Sequence, residues 1–315
     1  MKREDFYYDS RDGIHKIHAV RWSPDDGEIG CILQLVHGMA EHVERYEHVA
    51  EYFTKKGMLV VANDHLGHGK SVKDKSEYGY FCKNDPLTVV VRDVHRLKKI
   101  TQEENPGKPC FIMGHSMGSL FLRNYLFRYG SGIDGAIIQG TTDLTPLATK
   151  SGLALLKILS FFEGEKKRSA FANGFVSSDP NARIKDPRTP SDWLCDNEEV
   201  VDRFIADEAC GFTFTLNGLT TIMHSVDNLS KKKYLAKVPL SLPLLIISGD
   251  MDPIGAYGEN VKRAYERYVK LGMKDVTMKL YPGLRHEIHN ERNNAEVFGD
   301  IYAFIDRVCK EGSTK

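Results

Sequence analysis

In the stretch Gly114-His115-Ser116-Met117-Gly118 a serine stands between two glycines, after the apolar run 110–113 and before an amphipathic pattern that begins at Met117. A serine hydroxyl is a weak nucleophile until a base takes its proton and the oxygen stands clear of the backbone. A strand that turns abruptly into a helix gives that exposure. The crowding it creates is relieved by glycine, here Gly114 and Gly118. The first amides of the following helix favour negative charge at the same point. A five-residue pattern recurs by chance, so the strand before it and the helix after it are what give this one weight.

Acyl transfer at such a serine needs an acid and a base later in the chain, at the ends of later strands. After "LLIIS" comes "GDMDP", and after "VTMKLYPG" comes "LRHEIHNE". Asp252, farther out and beside Pro253, is preferred as the acid, with Asp250 read as a turn-capping residue. His286 is preferred as the base, its Nε2 toward Ser116 and its Nδ1 held by the acid. His289 is the competing base, and otherwise begins the last loop. The oxyanion needs two donors: the amide of Met117 and an amide in "LVHGMAEH", assigned to Met39. Gly38 lets that loop bend close, and His37 supports it through hydrogen bonds.

The elements that must position these residues alternate along the chain. Strand patterns over "FYYD", "IHKIHAVRW" and "CILQLVHG" lead to a helical pattern in "HVERYEHVAEYFTKKG". Strand and helix then repeat through "MLVVAND", "PLTVVVRDVHRLKKITQEE", "PCFIMGHS", "MGSLFLRNYLFRYG" and "GAIIQG". They resume with "PLLIISGD", "ENVKRAYERYVKLG", "VTMKLYPG" and a last helix around "AEVFGDIYAFIDRVCK". Continuously apolar strands between amphipathic helices predict an α/β fold, a mostly parallel sheet covered on both faces. Residues 141–237 interrupt the alternation at a length far beyond the roughly 2–6 residues such connections need. Helical patterns in "LATKSGLALLKILSFF" and "DNEEVVDRFIADEA", with a loop over 177–193, predict an inserted cap on a core formed by 1–140 and 238–315. In the first of these, Leu155, Leu159 and Phe162 lie on a broad apolar surface that either packs onto the rest of the cap or forms a wall for an acyl chain, with "EKKR" near lipid headgroups.

The 315 residues are 41% hydrophobic and carry 43 basic against 43 acidic side chains, so no global field draws in nucleic acid. Six scattered cysteines form no CxxC pair and are read as reduced. The first residues lack the apolar core of a signal peptide and no window is long enough to span a bilayer, so a cytoplasmic protein is expected, with transient contact to a membrane surface through the cap.

Together, "HGMAEHVERY", "NDHLGHGKS", "GHSMGS", "GDMDP" and "YPGLRHEIHNE" resemble the monoacylglycerol lipase and lysophospholipase group of α/β-hydrolases over residues 32–289. The resemblance implies an acyl-enzyme at Ser116 with Asp252 and His286, an oxyanion hole of the Met39 and Met117 amides, a mobile apolar cap, a lipid-like ester substrate and no cofactor. Met39 stands where members of the group often carry a smaller residue, which bears on pocket shape rather than on a backbone donor.

Other signals are weaker. "GHGKS" lacks the glycine of a phosphate loop, having Asp64 in its place, and "HEIH" is one residue short of a zinc helix motif, so no metal is expected. His42, His48, His65, His68 and His95 are read as surface or loop residues. Alternatives are a short-chain or aromatic carboxylesterase, and an aminopeptidase or amidase using Glu198, Glu199, Asp202, Asp207 and Glu208 to hold a free amine. A non-catalytic lipid- or partner-binding protein would need none of the Ser, Asp, His and Gly set. Oligomeric state is not legible.

Overall fold

A computed structural model describes residues 1–25, 27–174 and 179–312, leaving outside it the first two residues of the loop expected over 177–193 and the last three of the chain. Its strands are β1 (Lys2–Asp9), β2 (Lys16–Ser23), β3 (Cys31–Val36), β4 (Met58–Asn63), β5 (Cys110–His115), β6 (Gly135–Gln139), β7 (Leu244–Gly249) and β8 (Val276–Tyr281). They form one sheet in the order β1-β2-β4-β3-β5-β6-β7-β8. The β1–β2 and β2–β4 pairs are antiparallel, and every pair from β4 to β8 is parallel.

Every residue of β3 to β7 is buried, as expected of strands covered on both faces. Alternate residues serve different cores. Phe111 and Met113 join Phe53, Ile301 and Phe304, which come from helices α1 (Glu47–Thr54) and, at the chain end, Ala295–Gly312. Cys110 and Ile112 join Leu97, Leu122 and Tyr268. Those three come from α2 (Pro86–Glu104), α3 (Met117–Tyr129) and the helix Glu259–Leu271. A slip of one residue would exchange the two faces, so the apolar pattern fixes register.

Between β6 and β7 lie α4 (Pro146–Glu163), α5 (Ala170–Gly174), α6 (Glu198–Ala206), α7 (Leu216–Asn228) and α8 (Lys232–Leu235), followed after β7 by α9 (Glu259–Leu271) and α10 (Ala295–Gly312). Local chemistry starts these helices. Asp85 and Thr145 accept from Thr88 N and Ala148 N, each with proline at the next position, and Thr215 caps Gly218 N. Helix α7 falls outside the two helices expected of the insertion. Its buried face includes Asn217, Gly218 and Thr221 beside Leu216, Leu219 and Val226, which dilutes the apolar period. Asn217 is satisfied there by accepting from Phe81 N at 3.2 Å and donating to Cys82 O at 2.9 Å.

Among the described residues no helix is long and apolar enough to cross a membrane. Because β3, β5, β6, β7 and β8 are parallel, the loops after them leave the same edge of the sheet, where open α/β folds hold their ligands.

Candidate active site

Ser116 links β5 directly to α3 with φ 52° and ψ −120°, a conformation that costs a non-glycine residue about 1–3 kcal/mol. The glycines around it are there because three backbones meet. A Cβ on Gly118 would collide with the carbonyl oxygen of Val36, and one on Gly114 would lie 2.5 Å from the carbonyl oxygen of Gly118. Gly118→Ala is therefore expected to destabilise the fold by about 3 kcal/mol, read as a lowered midpoint in denaturant unfolding. An unchanged midpoint would contradict the packing of α3 on β3.

Asp252 and His286 come from the loops after β7 and β8. His286 Nδ1 lies 2.9 Å from Asp252 Oδ1, and the same carboxylate accepts from Ser248 Oγ at 3.0 Å and from Ile254 N at 2.9 Å. Burial alone would lower the His286 pKa, but the Asp252 charge overrides it and holds the imidazole above its ordinary value. Burial would raise Asp252, yet His286 and the two further donors hold its carboxyl below the usual range. Asp250 instead accepts from Gly283 N at 2.7 Å, closing the turn after β8. Gly249 has no room for a side chain, since a Cβ would collide with the Leu284 carbonyl, and this lets the loop bearing His286 lie against the end of β7.

Ser116 and His286 both lie against the end of β6. Ser116 N donates to Gln139 O at 3.0 Å, and the position of a Cβ on Gly140 is 3.2 Å from His286 Cε1. On the other side, a Cβ on Gly38 would lie 3.3 Å from Ser116 Cβ, so the loop after β3 runs directly past Ser116. His37 is buried and fully engaged. Its Nε2 accepts from His65 N at 2.9 Å, which places the proton on Nδ1, donating to Gly38 O at 2.8 Å. Within the described residues the Met39 amide makes no hydrogen bond, and Met117, first in α3, has no intrahelical acceptor for its own. Both amides are thus left without an acceptor among the described residues.

Several supporting residues were not legible as such in the sequence. Glu41 accepts from Gly38 N at 2.5 Å, from Tyr46 Oη at 2.8 Å and from Arg45 Nη1, and Arg45 grips Glu287 with two bonds of 2.7 Å. Glu287 follows His286, so one buried guanidinium ties the loop of Met39 to the loop of the histidine. Burial pushes Glu287 up, but Arg45 prevails and holds it well below the carboxylate range. The Trp193 ring packs tilted against His286, centroids 5.1 Å apart, while His286 N and Glu287 N donate to Trp193 O and Leu194 O at 3.4 and 2.7 Å.

His289 is fully buried, stacked 5.1 Å from Tyr46, with Nδ1 2.6 Å from Gln139 Nε2. His42, His65 and His68 lie in loops, as read, but are buried rather than at the surface, and His65 and His68 pack with His37. Of the apolar residues on α4, Leu155 and Leu159 are half-buried, and Leu159 packs against the main core. Phe162 is 79% exposed and so does not line a buried wall; with Phe161 it projects from the last turn of α4.

Comparison with known proteins agrees with this architecture. Residues 28–293 match the family model described as serine aminopeptidase, S33. The chain is 28% identical over 306 residues to a monoacylglycerol lipase of Mycolicibacterium smegmatis, covering 93% of each chain. It is 26% identical to the monoglyceride lipase of Homo sapiens, covering 91% of this chain and 85% of that one. A thermostable carboxyl esterase from Bacillus coagulans superposes with a TM-score of 0.90 at 33% identity, over 98% of this chain and 99% of the other.

Proposed function

The chain belongs to the hydrolase family described as serine aminopeptidase, S33, and from that membership we propose that it is a serine ester hydrolase of the monoacylglycerol lipase type. The observation that carries the serine mechanism is that a strained Ser116 corner and an imidazole already held at Nδ1 by Asp252 both lie against the end of β6. In the proposed cycle His286 Nε2 takes the Ser116 proton as Oγ attacks the ester carbonyl. The oxyanion rests on the amides of Met39 and Met117. The imidazolium then protonates the leaving alcohol, and a water deprotonated by the same nitrogen releases the fatty acid and frees the serine. Asp252 keeps its charge throughout and fixes the tautomer.

Residues 141–237 act as a cap on a core of 1–140 and 238–315. Supporting this reading, Trp193 reaches the catalytic imidazole from within that segment, and α4 exposes Leu147, Ile158, Phe161 and Phe162 on its outer side. Leu155 and Leu159 form the inner wall for an acyl chain. The exposed aromatic rings, with the basic run 166–168 beyond them, dip into the interface of a membrane or micelle that presents the substrate.

An aminopeptidase would need free carboxylates in the cap. Three of the five considered are engaged: Asp202 pairs with Arg188, Asp207 with His42 and Glu208 with Lys75. The test is a matched panel of a monoacylglycerol, a lysophosphatidylcholine, an acetyl ester and an aminoacyl amide. A kcat/KM at least about tenfold higher for the monoacylglycerol or the lysolipid is expected. Faster turnover of the acetyl ester or the amide would overturn the lipid assignment while leaving the serine chemistry in place.

A further inference from the structure

His42, Asp207 and Cys210 are separated by up to 168 residues in sequence, and nothing in their spacing marks them. The fold brings one donor atom from each within 4.8 Å of the others, the one such grouping of three among the described residues. His42 lies three residues beyond Met39, and Asp207 and Cys210 lie in the loop after α6. His42 and Cys210 are buried and Asp207 is half-buried. We propose that these three side chains form a site for a divalent transition-metal ion of the zinc class, clamping the loop of Met39 to the loop after α6.

The donor set supports that class. Imidazole nitrogen, carboxylate oxygen and thiolate sulfur together suit zinc or its cobalt surrogate, and not magnesium or calcium, which take oxygen alone. In a tetrahedral site with metal–ligand bonds of about 2.0–2.3 Å, donor atoms sit roughly 3.3–3.7 Å apart. His42 Nε2 and Asp207 Oδ2 are 2.8 Å apart and the three donors lie within 4.8 Å of one another, so side-chain shifts of about an ångström would bring them to that spacing.

The backbone is already arranged for it. Ala209 N donates to Asp207 Oδ1 at 2.8 Å and Cys210 N to Asp207 O at 2.9 Å, a turn that holds both side chains near His42. Gly211 N donates to Ala40 O at 2.8 Å, pinning this turn to the loop after β3. A cleft of about 430 Å³, lined also by Arg203, Phe204 and Asn290, reaches the three donors and gives the ion an entry path and a fourth position for water.

Charge permits it too. Arg45, which also lines this cleft, is met by both Glu41 and Glu287, so Asp207 is not needed to neutralise it. On binding, Cys210 gives up its thiol proton to solvent, and His42 moves its proton from Nε2 to Nδ1, so each ion releases one proton.

The proposal stands apart from the serine mechanism and is tested on the intact, tag-free chain, stripped with chelator and titrated with Co²⁺. A thiolate-to-cobalt charge-transfer band and tetrahedral d–d bands saturating at one equivalent are expected, with Zn²⁺ displacing them. Cys210→Ser should abolish the charge-transfer band, and His42→Ala and Asp207→Asn should each weaken binding about tenfold or more. Cys309→Ser, at the one cysteine that is not fully buried, should leave the spectrum unchanged. Zn²⁺ should raise the melting temperature of the wild-type chain but not of His42→Ala. Absence of the band, or its persistence in Cys210→Ser, would overturn the proposal. Should Cys210→Ser not fold, undiminished binding in both His42→Ala and Asp207→Asn would overturn it equally.

Discussion

Ser116→Ala is expected to lower kcat for ester hydrolysis by about four to six orders of magnitude while leaving the fold intact. The size follows from the mechanism: with no hydroxyl there is no acyl-enzyme, and only substrate binding and the two oxyanion amides continue to favour the transition state. The fold should survive because the side chain carries little of it. No capping bond from the Ser116 hydroxyl to α3 is present, and the contacts that fix the corner are made by its backbone, with Gln139 O accepting from its amide and Ser119 N donating to its carbonyl. The strained φ of 52° is retained by alanine, so stability should change little. Steady-state turnover alongside denaturant unfolding checks both halves. Ester turnover within tenfold of wild type would remove Ser116 from the mechanism.

Asp252→Asn should cost about four orders of magnitude in kcat and should move the pH profile in a stated direction. In the proposed mechanism the active base is neutral His286, so kcat/KM should fall as pH drops through its pKa. With Asp252 charged, that pKa lies above the ordinary value of 6.5, because the carboxylate outweighs burial. The acid limb of the wild-type profile therefore lies above about pH 6.5. Asparagine removes the charge and leaves the burial, which lowers the pKa, so the limb in the variant should shift to lower pH even as the plateau collapses. The reason for the collapse is the tautomer: a neutral amide in place of the carboxylate no longer demands a proton on Nδ1. The amide keeps one acceptor: with its NH2 turned toward His286 Nδ1, its oxygen at the Oδ2 position still accepts from Ser248 Oγ while the bond from Ile254 N is lost, so the loop after β7 should hold with a small loss of stability. The measurement is kcat/KM against pH for both proteins. An acid limb at the same pH in the two would show that Asp252 does not set the charge state of the base.

Much of this arrangement was legible because it is local. Ser116 sits in a five-residue pattern between a strand and a helix, and Asp252 and His286 each follow the end of a strand. The α/β alternation that places them on one sheet edge is written in the same periodicities. What escaped the sequence depends on distant pairs. Arg45 reads as one charge on an amphipathic helix, and only the fold sets it against Glu287, 242 residues away. His65 and His68 sit in a polar-looking stretch, yet the loop after β3 folds over them and buries both. Helix α7 hid because its buried face is partly polar, with side chains such as Asn217 satisfied by partners far along the chain. Phe162 shows the opposite failure: its apolar type suggested a wall, while among the described residues it stays exposed at the end of α4.

The most direct test of Ser116 as the nucleophile is covalent trapping. A phosphonyl fluoride bearing an alkyl chain should add once to the native chain with loss of fluoride, and peptide mass mapping should place the adduct on Ser116, with none formed in Ser116→Ala. An adduct on any other residue, or a fully active protein that forms no adduct at all, would contradict the serine mechanism.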